Sequence, residues 1–287
     1  MTILQAGKEL NAELNTIYDV REAAKITHMV MEKITGFTNT ERLVNEQLLL
    51  TSPQQHQLQI LRQQLLQHQP VQYILHEAWF TGLKFYVDNS VLIPRPETEE
   101  LVEAIVADIG KSPDKDLSLI DIGTGSGCIA IALKKKLSEL LVYAMEISDE
   151  ALQIAQKNAV ENHVRVEFLH ADILEWRQHN DHPLFDLIVS NPPYIKQTEA
   201  HEMADNVLRY EPHQALFVPD DDALLFYRTI AEFGLQNLRN ATGKIFVEIN
   251  EALGNEVATM FRQNGFSEVT IKKDMQQKDR FVVAILK

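Results

Sequence analysis

The chain has 287 residues and is 45% hydrophobic, enough to bury a sizeable core as one large domain or two smaller ones. Its 27 Lys and Arg stand against 41 Asp and Glu, a net charge of −14; this argues against a broad phosphate-tracking surface and makes nucleic acid a disfavoured partner. No run approaches the roughly twenty apolar residues of a membrane span, the first residues lack a signal-peptide pattern, and the single cysteine, Cys128, excludes an internal disulfide or a multi-cysteine metal site; a cytoplasmic protein is expected.

Residues 1–75 read as a small all-helical domain with start and stop signals at short intervals. Asp19 with Glu22 and Thr38 with Glu41 fit capping boxes. Ser52 is a further start signal, with Pro53 at the first helical position and Gln55 three residues after the cap. Beyond it Leu58, Leu61 and Leu65 share one face, with Gln and His on the other. This segment carries 6 basic against 7 acidic residues, so the excess negative charge lies downstream. A packing or interaction module is expected here.

Over residues 76–93 the period changes to two. Leu83, Phe85 and Val87 alternate with Lys84 and Tyr86, and Asp88-Asn89-Ser90 supplies a turn before Val91-Leu-Ile93, which predicts a β-hairpin joining two domains. From residue 94 to 287 a helix precedes alternating strands and helices, with strands near 117–122, 141–146, 165–169, 185–190, 244–249, 268–273 and 280–286. Such alternation predicts an α/β domain on a largely parallel sheet, and the short connection between the last two strands makes them an antiparallel hairpin at its edge.

The chemistry-bearing residues follow successive strands. The buried run ending at Asp121 leads into Ile122-Gly123-Thr124-Gly125-Ser126-Gly127 and a helix opening with Cys128. Glycines permit a sharp turn close to a ligand, and the helix start offers free N–H groups to a carboxylate or phosphate. The spacing Gly-x-Gly-x-Gly differs from the dinucleotide fingerprint Gly-x-Gly-x-x-Gly, which favours a ligand without phosphates. Glu146 ends the next strand, where a carboxylate can accept both hydroxyls of a ribose or simply cap the helix beginning near Ser148. Asp172 follows the third strand and is either placed to accept from an adenine amine while Ile173 packs on the ring or an ordinary turn carboxylate. Cys128 is either a thiol of lowered pKa at a helix start or a small packing residue.

The fourth strand ends in Asn191-Pro192-Pro193-Tyr194. An amide nitrogen is a poor nucleophile because its lone pair is delocalised. The Asn191 side-chain oxygen and the Pro192 carbonyl can accept both of its N–H bonds and turn the lone pair toward an electrophile, with Tyr194 over the flat face. The alternative is a plain strand-ending turn. In an open α/β sheet ligands bind outside the carboxyl ends of the strands, and all these residues fall there. S-adenosylmethionine next to a planar nitrogen satisfies both halves.

At this point the chain resembles the protein-(glutamine-N5) methyltransferases that modify class I peptide chain release factors, the HemK/PrmC family. The resemblance spans nearly the whole length: Pro70-Val-Gln-Tyr-Ile-Leu75, Phe80-Thr-Gly-Leu-Lys-Phe85, Val91-Leu-Ile-Pro-Arg-Pro-Glu-Thr-Glu99, Asp121-Ile-Gly-Thr-Gly-Ser-Gly-Cys128, Asn191-Pro-Pro-Tyr-Ile195, Tyr210-Glu-Pro212 and Lys278-Asp-Arg-Phe-Val282. It implies a seven-stranded Rossmann-like methyltransferase domain behind a helical domain that docks release factors. It also implies S-adenosylmethionine as cofactor and the glutamine of a Gly-Gly-Gln loop as substrate. Carried over, cofactor contacts fall on Gly123, Thr124, Gly125, Ser126, Gly127, Glu146, Asp172, Ile173 and Asn191. The glutamine clamp falls on Asn191, Pro192, Pro193 and Tyr194, with Asn191, Pro192 and Tyr194 catalytic and no metal. Departures are Glu146 where the family often has Asp, the lack of the expected glycines in residues 215–224, Asn250 where Gly is usual, and Ile173 in place of an aromatic, with Trp176 three positions later. Arg95 is expected near the cofactor or ordering the hairpin, or paired with Glu97 or Glu99. Rival readings are an adenine-N6 methyltransferase of nucleic acids, a non-catalytic S-adenosylmethionine-binding protein and a nicotinamide dehydrogenase. A monomer is favoured.

Overall fold

The computed structural model describes residues 1–110, 116–178, 183–239 and 243–286. They form two compact units, Met1–Glu77 with Ala204–Tyr210, and Ala78–Met203 with Glu211–Lys287. Among the described residues no helix is long and apolar enough to cross a membrane.

The first unit packs α1 (Ile3–Leu14), α2 (Val20–Thr35), α3 (Asn39–Val44), α4 (Ser52–Leu66) and α5 (Val71–Leu75) around Leu10, Leu14, Ala23, Val30 and Leu65. Each early helix starts at a side-chain cap that satisfies otherwise orphan N–H groups. Thr38 and Glu41 form the expected reciprocal box. Asp19 accepts from the Arg21 and Glu22 N–H groups. The cap of α4 is Thr51, not Ser52: its hydroxyl accepts from Gln54 N–H and the Gln54 side chain returns the bond. Thr51 wins because its Gln lies at the third helical position, where the box closes, whereas Gln55 instead donates to the Leu50 carbonyl at 2.8 Å. Residues 204–210 join this unit, and the Tyr210 hydroxyl donates to the Gln67 carbonyl at 2.8 Å; no local signal in the sequence marks this.

The second unit opens with β1 (Ala78–Phe80) and β2 (Leu83–Phe85), paired antiparallel with Phe80 opposite Leu83. The hairpin turn is therefore Thr81-Gly82, with φ of 48° and 76°, not Asp88-Asn89-Ser90. A two-residue turn that matches strand twist needs positive φ at both positions, which Gly supplies. Residues 91–93 form no strand. They lead into α6 (Pro96–Ile109), and the Asp88 carboxylate instead accepts from Ser90 N–H at 2.9 Å.

Then follow β3 (Ser118–Ile122), α7 (Cys128–Lys136), β4 (Leu141–Glu146), α8 (Asp149–Glu161), β5 (Glu167–His170), β6 (Leu187–Ser190), β7 (Ile195–Lys196), α9 (Asp205–Tyr210, part of the first unit), β8 (Phe217–Val218), α10 (Leu225–Asn237), β9 (Lys244–Glu248), α11 (Gly254–Gln263), β10 (Glu268–Lys273) and β11 (Asp279–Ile285). The main sheet has seven strands in the order β10-β11-β9-β6-β3-β4-β5. Pairs β3·β4, β4·β5, β3·β6 and β6·β9 are parallel, and β11 runs antiparallel to both β9 and β10. The hairpin of β10 and β11 is at the edge, as its short connection requires. The order reverses direction at β3 and β6, which makes a crevice at their carboxyl ends. Every residue of β3 and of β6 is buried, which fits the continuous apolar runs of a parallel sheet covered on both faces.

Candidate active site

Ser190 closes β6 fully buried, and its hydroxyl donates to the Ile122 carbonyl at the end of β3, 2.7 Å away. That bond sets Asn191 beside the glycine loop. Both line one cavity of about 390 Å³, whose walls also include Glu146, Asp172 and Ile173.

Gly123, Gly125 and Gly127 all take positive φ, 71°, 54° and 80°, where a side chain is strained. The first two face open space, with nothing within 4 Å of where a Cβ would sit. Gly127 serves a different purpose and does not line the cavity: a Cβ there would meet Ile131 Cδ1 at 2.9 Å and Ala155 Cβ at 3.2 Å. It lets α7 and α8 approach. The loop is pinned from below by Asp121, whose Oδ2 accepts from the Thr124 hydroxyl at 2.6 Å and from Ala130 N–H at 3.3 Å. Asp121 is wholly buried and its Oδ1 has no partner among the described residues. Burial pushes this carboxyl up to about 7, against the pull of the Thr124 and Ala130 bonds.

Glu146 sits at the expected strand end, but its carboxylate is already engaged. It accepts from Gly125 N–H at 2.9 Å and from Ile147 and Ser148 N–H at 3.0 Å each. Roughly one of its four lone-pair positions remains for a ligand, so a second ribose hydroxyl needs another acceptor or displacement of one of these bonds. Asp172 Oδ1 accepts from Leu174 N–H at 2.8 Å, which fixes the turn, and Ile173 is buried against the cavity with Ile147, Leu174 and Phe226 nearby on its walls. Trp176 does not stand in for the missing aromatic: it is buried in the core, edge-on to Phe233 at 5.5 Å. Cys128 is buried at the cavity wall, and burial pushes its thiol up to about 12, opposite to the lowered value of a reactive thiol.

At the clamp, Asn191, Pro192 and Pro193 line the cavity. Tyr194 does not; its hydroxyl donates to Glu248 Oε1 at 3.3 Å, and burial raises its phenol further above the usual range. It supports the clamp from beneath, where the sequence reading places it over a ligand. The Asn191 Nδ2 donates to the Thr98 hydroxyl at 3.2 Å, and that hydroxyl donates to Glu248 Oε2 at 2.6 Å. Segment 215–224, which has no glycine, places β8 beside β7, directly after Tyr194. Asn250 caps the turn that follows β9, accepting from Ala252 N–H at 3.0 Å.

Arg95 lines the cavity and pairs with neither Glu97 nor Glu99. Its Nη2 donates to Glu211 Oε1 at 2.5 Å, and Glu211 Oε2 accepts from Ile93 N–H at 3.3 Å. Glu99 accepts instead from Thr81 N–H at the hairpin turn, 3.0 Å away. Thr98, Glu211 and Glu248 are the residues that the sequence left without a role. One signal existed for Glu248: an acid at the end of the apolar run Ile245-Phe-Val247 is buried, and a buried carboxylate needs partners.

Comparison with known proteins bears directly on this site. Residues 98–216 match the methyltransferase small domain and residues 5–75 the PrmC N-terminal domain. A release factor glutamine methyltransferase of Flavobacterium psychrophilum is 44% identical over 270 residues, covering 94% of each chain. One from Bacteroides thetaiotaomicron is 41% identical, covering 96% of this chain and 97% of the relative. The chain belongs to the release factor glutamine methyltransferase family. Membership accords with the sheet order above. The fold is also that of a Thermus thermophilus 16S rRNA N2 G1207 methyltransferase, 18% identical with a TM-score of 0.52, covering 74% of this chain and 50% of that one.

Family members are S-adenosylmethionine-dependent, and the residues present fit that cofactor. Gly123 and Gly125 leave open the space that side chains would fill. Ile147, Ile173, Leu174 and Phe226 supply apolar walls, and Glu146 and Asp172 supply acceptors.

Proposed function

We propose that this protein methylates the side-chain amide nitrogen (N5) of the glutamine in the Gly-Gly-Gln loop of a class I peptide chain release factor, using S-adenosylmethionine. The observation that carries this reading is Asn191 on the wall of the same cavity as the glycine loop, Glu146 and Asp172. Bound there, the cofactor supplies an electrophilic sulfonium methyl group. Gly123, Thr124, Gly125, Ser126, Glu146, Asp172 and Ile173 hold it, with Gly127 setting the loop's height.

Asn191 Oδ1 and the Pro192 carbonyl accept the two N–H bonds of the substrate amide and aim its lone pair. The nitrogen would gain a bond to the methyl carbon as that carbon's bond to sulfur breaks, the electron pair staying on the sulfur of S-adenosylhomocysteine, and would then lose a proton to solvent. Partial negative charge on the two acceptors stabilises the positive charge that develops meanwhile. No strong base is needed before attack. Residues 1–75 are read as the release-factor docking domain, residues 76–93 as the connection and residues 94–287 as the catalytic domain. The protein acts as a cytoplasmic monomer with no direct nucleic-acid contact, in keeping with its net charge of −14.

Mass spectrometry of a release factor incubated with the protein and S-adenosylmethionine should show one added methyl on the Gly-Gly-Gln glutamine. Asn191→Ala should lower kcat by about a hundredfold or more, with cofactor affinity changed little. Near-normal turnover of that variant would remove the clamp.

A further inference from the structure

A primary amide has two nearly identical ends, and a clamp for N–H groups works only if Asn191 presents its oxygen. The Asn191 side chain turned by half a revolution would offer the substrate amide a second N–H and repel it. Nothing in the sequence Asn-Pro-Pro-Tyr fixes that choice. Two residues from elsewhere in the fold make it. Thr98, in the first turn of α6, accepts from Asn191 Nδ2 at 3.2 Å and donates to Glu248 Oε2 at 2.6 Å. Thr98 and Glu248 are both buried, 2% exposed each.

We propose that Thr98 and Glu248 are positioning residues that select the Asn191 orientation competent for methyl transfer. A hydroxyl carries one proton. Both Glu248 oxygens accept, Oε2 from Thr98 and Oε1 from Tyr194, so the Thr98 proton points to Glu248 and Thr98 Oγ1 is left with lone pairs alone toward Asn191. The only Asn191 group that can bond to it is then the NH2, which turns Oδ1 toward the cavity. The chain of hydrogen bonds thus has a direction, set at its far end by the bonds Glu248 accepts. Tyr194 contributes to the same end, since its hydroxyl donates to Glu248 Oε1 and occupies the second oxygen. Burial raises the Glu248 carboxyl above its ordinary range, while the Thr98 bond, Arg280 and the Tyr194 bond pull it back, and Arg280 is itself held by Asp274 at 3.0 Å. Neither Tyr194 nor Glu248 lines the cavity, whereas Thr98 reaches its wall beside Asn191; the hydroxyl of Thr98 is spent between Asn191 and Glu248, so all three act through Asn191.

This inference rests on the functional reading above and deepens it. The test is a double-mutant cycle on the full chain, with initial rates on a release factor and cofactor affinity by calorimetry. Thr98→Val keeps the shape and removes the hydroxyl. It should lower kcat by about tenfold or more with the cofactor Kd within about twofold, whereas Thr98→Ser should retain most of the rate. Adding Thr98→Val to Asn191→Ala should cost nothing further, because Thr98 works only through the amide that is gone. Glu248→Gln, which can donate as well as accept and so no longer imposes a direction, should lose kcat in the same pattern and serves if Thr98→Val fails to fold. Independent, multiplying losses in the double variant, or full kcat in both Thr98→Val and Glu248→Gln, would overturn the inference while leaving release-factor methylation intact. A wild-type protein inactive on every release-factor glutamine removes the functional reading and this inference together.

Discussion

Asp121 shows how much a single buried group can carry without touching a ligand. One oxygen pins the glycine loop through Thr124 and Ala130 and the other has no partner among the described residues. Its folded value of about 7 lies above the ordinary 3.8. A raised value means that Asp121 adds stability fully below about pH 3.8 and that this is lost as pH rises through about 7. Asp121→Asn keeps an acceptor for Thr124 and abolishes the titration. Denaturant unfolding should therefore show the variant gaining on wild type between these pH values and levelling off above them. The gap between the two values caps the gain at roughly 4 kcal/mol. A difference that does not change with pH would refute the assignment. The sequence marks Asp121 only as the end of a strand. Its burial, and so its chemistry, comes from layers packed above it.

Short elements are where local signals mislead. The sequence reading takes Ser52 as a cap, yet Thr51 makes it, because the Gln three residues after Thr51 closes the box. It offers Asp88-Asn89-Ser90 as a hairpin turn, yet Thr81-Gly82 makes it, because strand pairing needs the tighter positive-φ turn. Loops also depend on distant partners. Residues 90–95 and 211–215 both reach the cavity wall, and the Arg95–Glu211 pair ties them together. Glu211 is buried, which raises its carboxyl, while Arg95 pulls it back. Arg95→Ala leaves that carboxylate unpaired. The variant should lose about 1–3 kcal/mol, less than a fully buried pair because Arg95 is one-third exposed, and should bind S-adenosylmethionine more weakly. A thermal melt and a calorimetric titration check both. Unchanged stability would show that the loops are held by other contacts.

Across the whole molecule, every residue on the cofactor cavity belongs to the second unit. Saturating S-adenosylmethionine, at about a hundred times its Kd, should slow amide exchange up to about a hundredfold in residues 123–127, 146–148 and 171–174. Exchange in α1 and α2 should stay as it was, and equal protection there would contradict a cavity confined to one unit. The parallel sheet, its antiparallel edge and the helical region before it are legible from periodicity, because alternation and 3.6-residue repeats report which faces are buried. The cofactor loop, Glu146, Asp172 and Asn191 are legible because ligands gather at strand ends.

The sequence by itself determined the element types and marked the glycine loop and Asn191, which the fold brings to one cavity, since each signal depends on contacts within a few positions along the chain. Tertiary structure decided which way that residue faces. The bonds from Asn191 to Thr98 and from Thr98 to Glu248 span 93 and 150 positions, and only a folded sheet brings one proton and two lone pairs into that line.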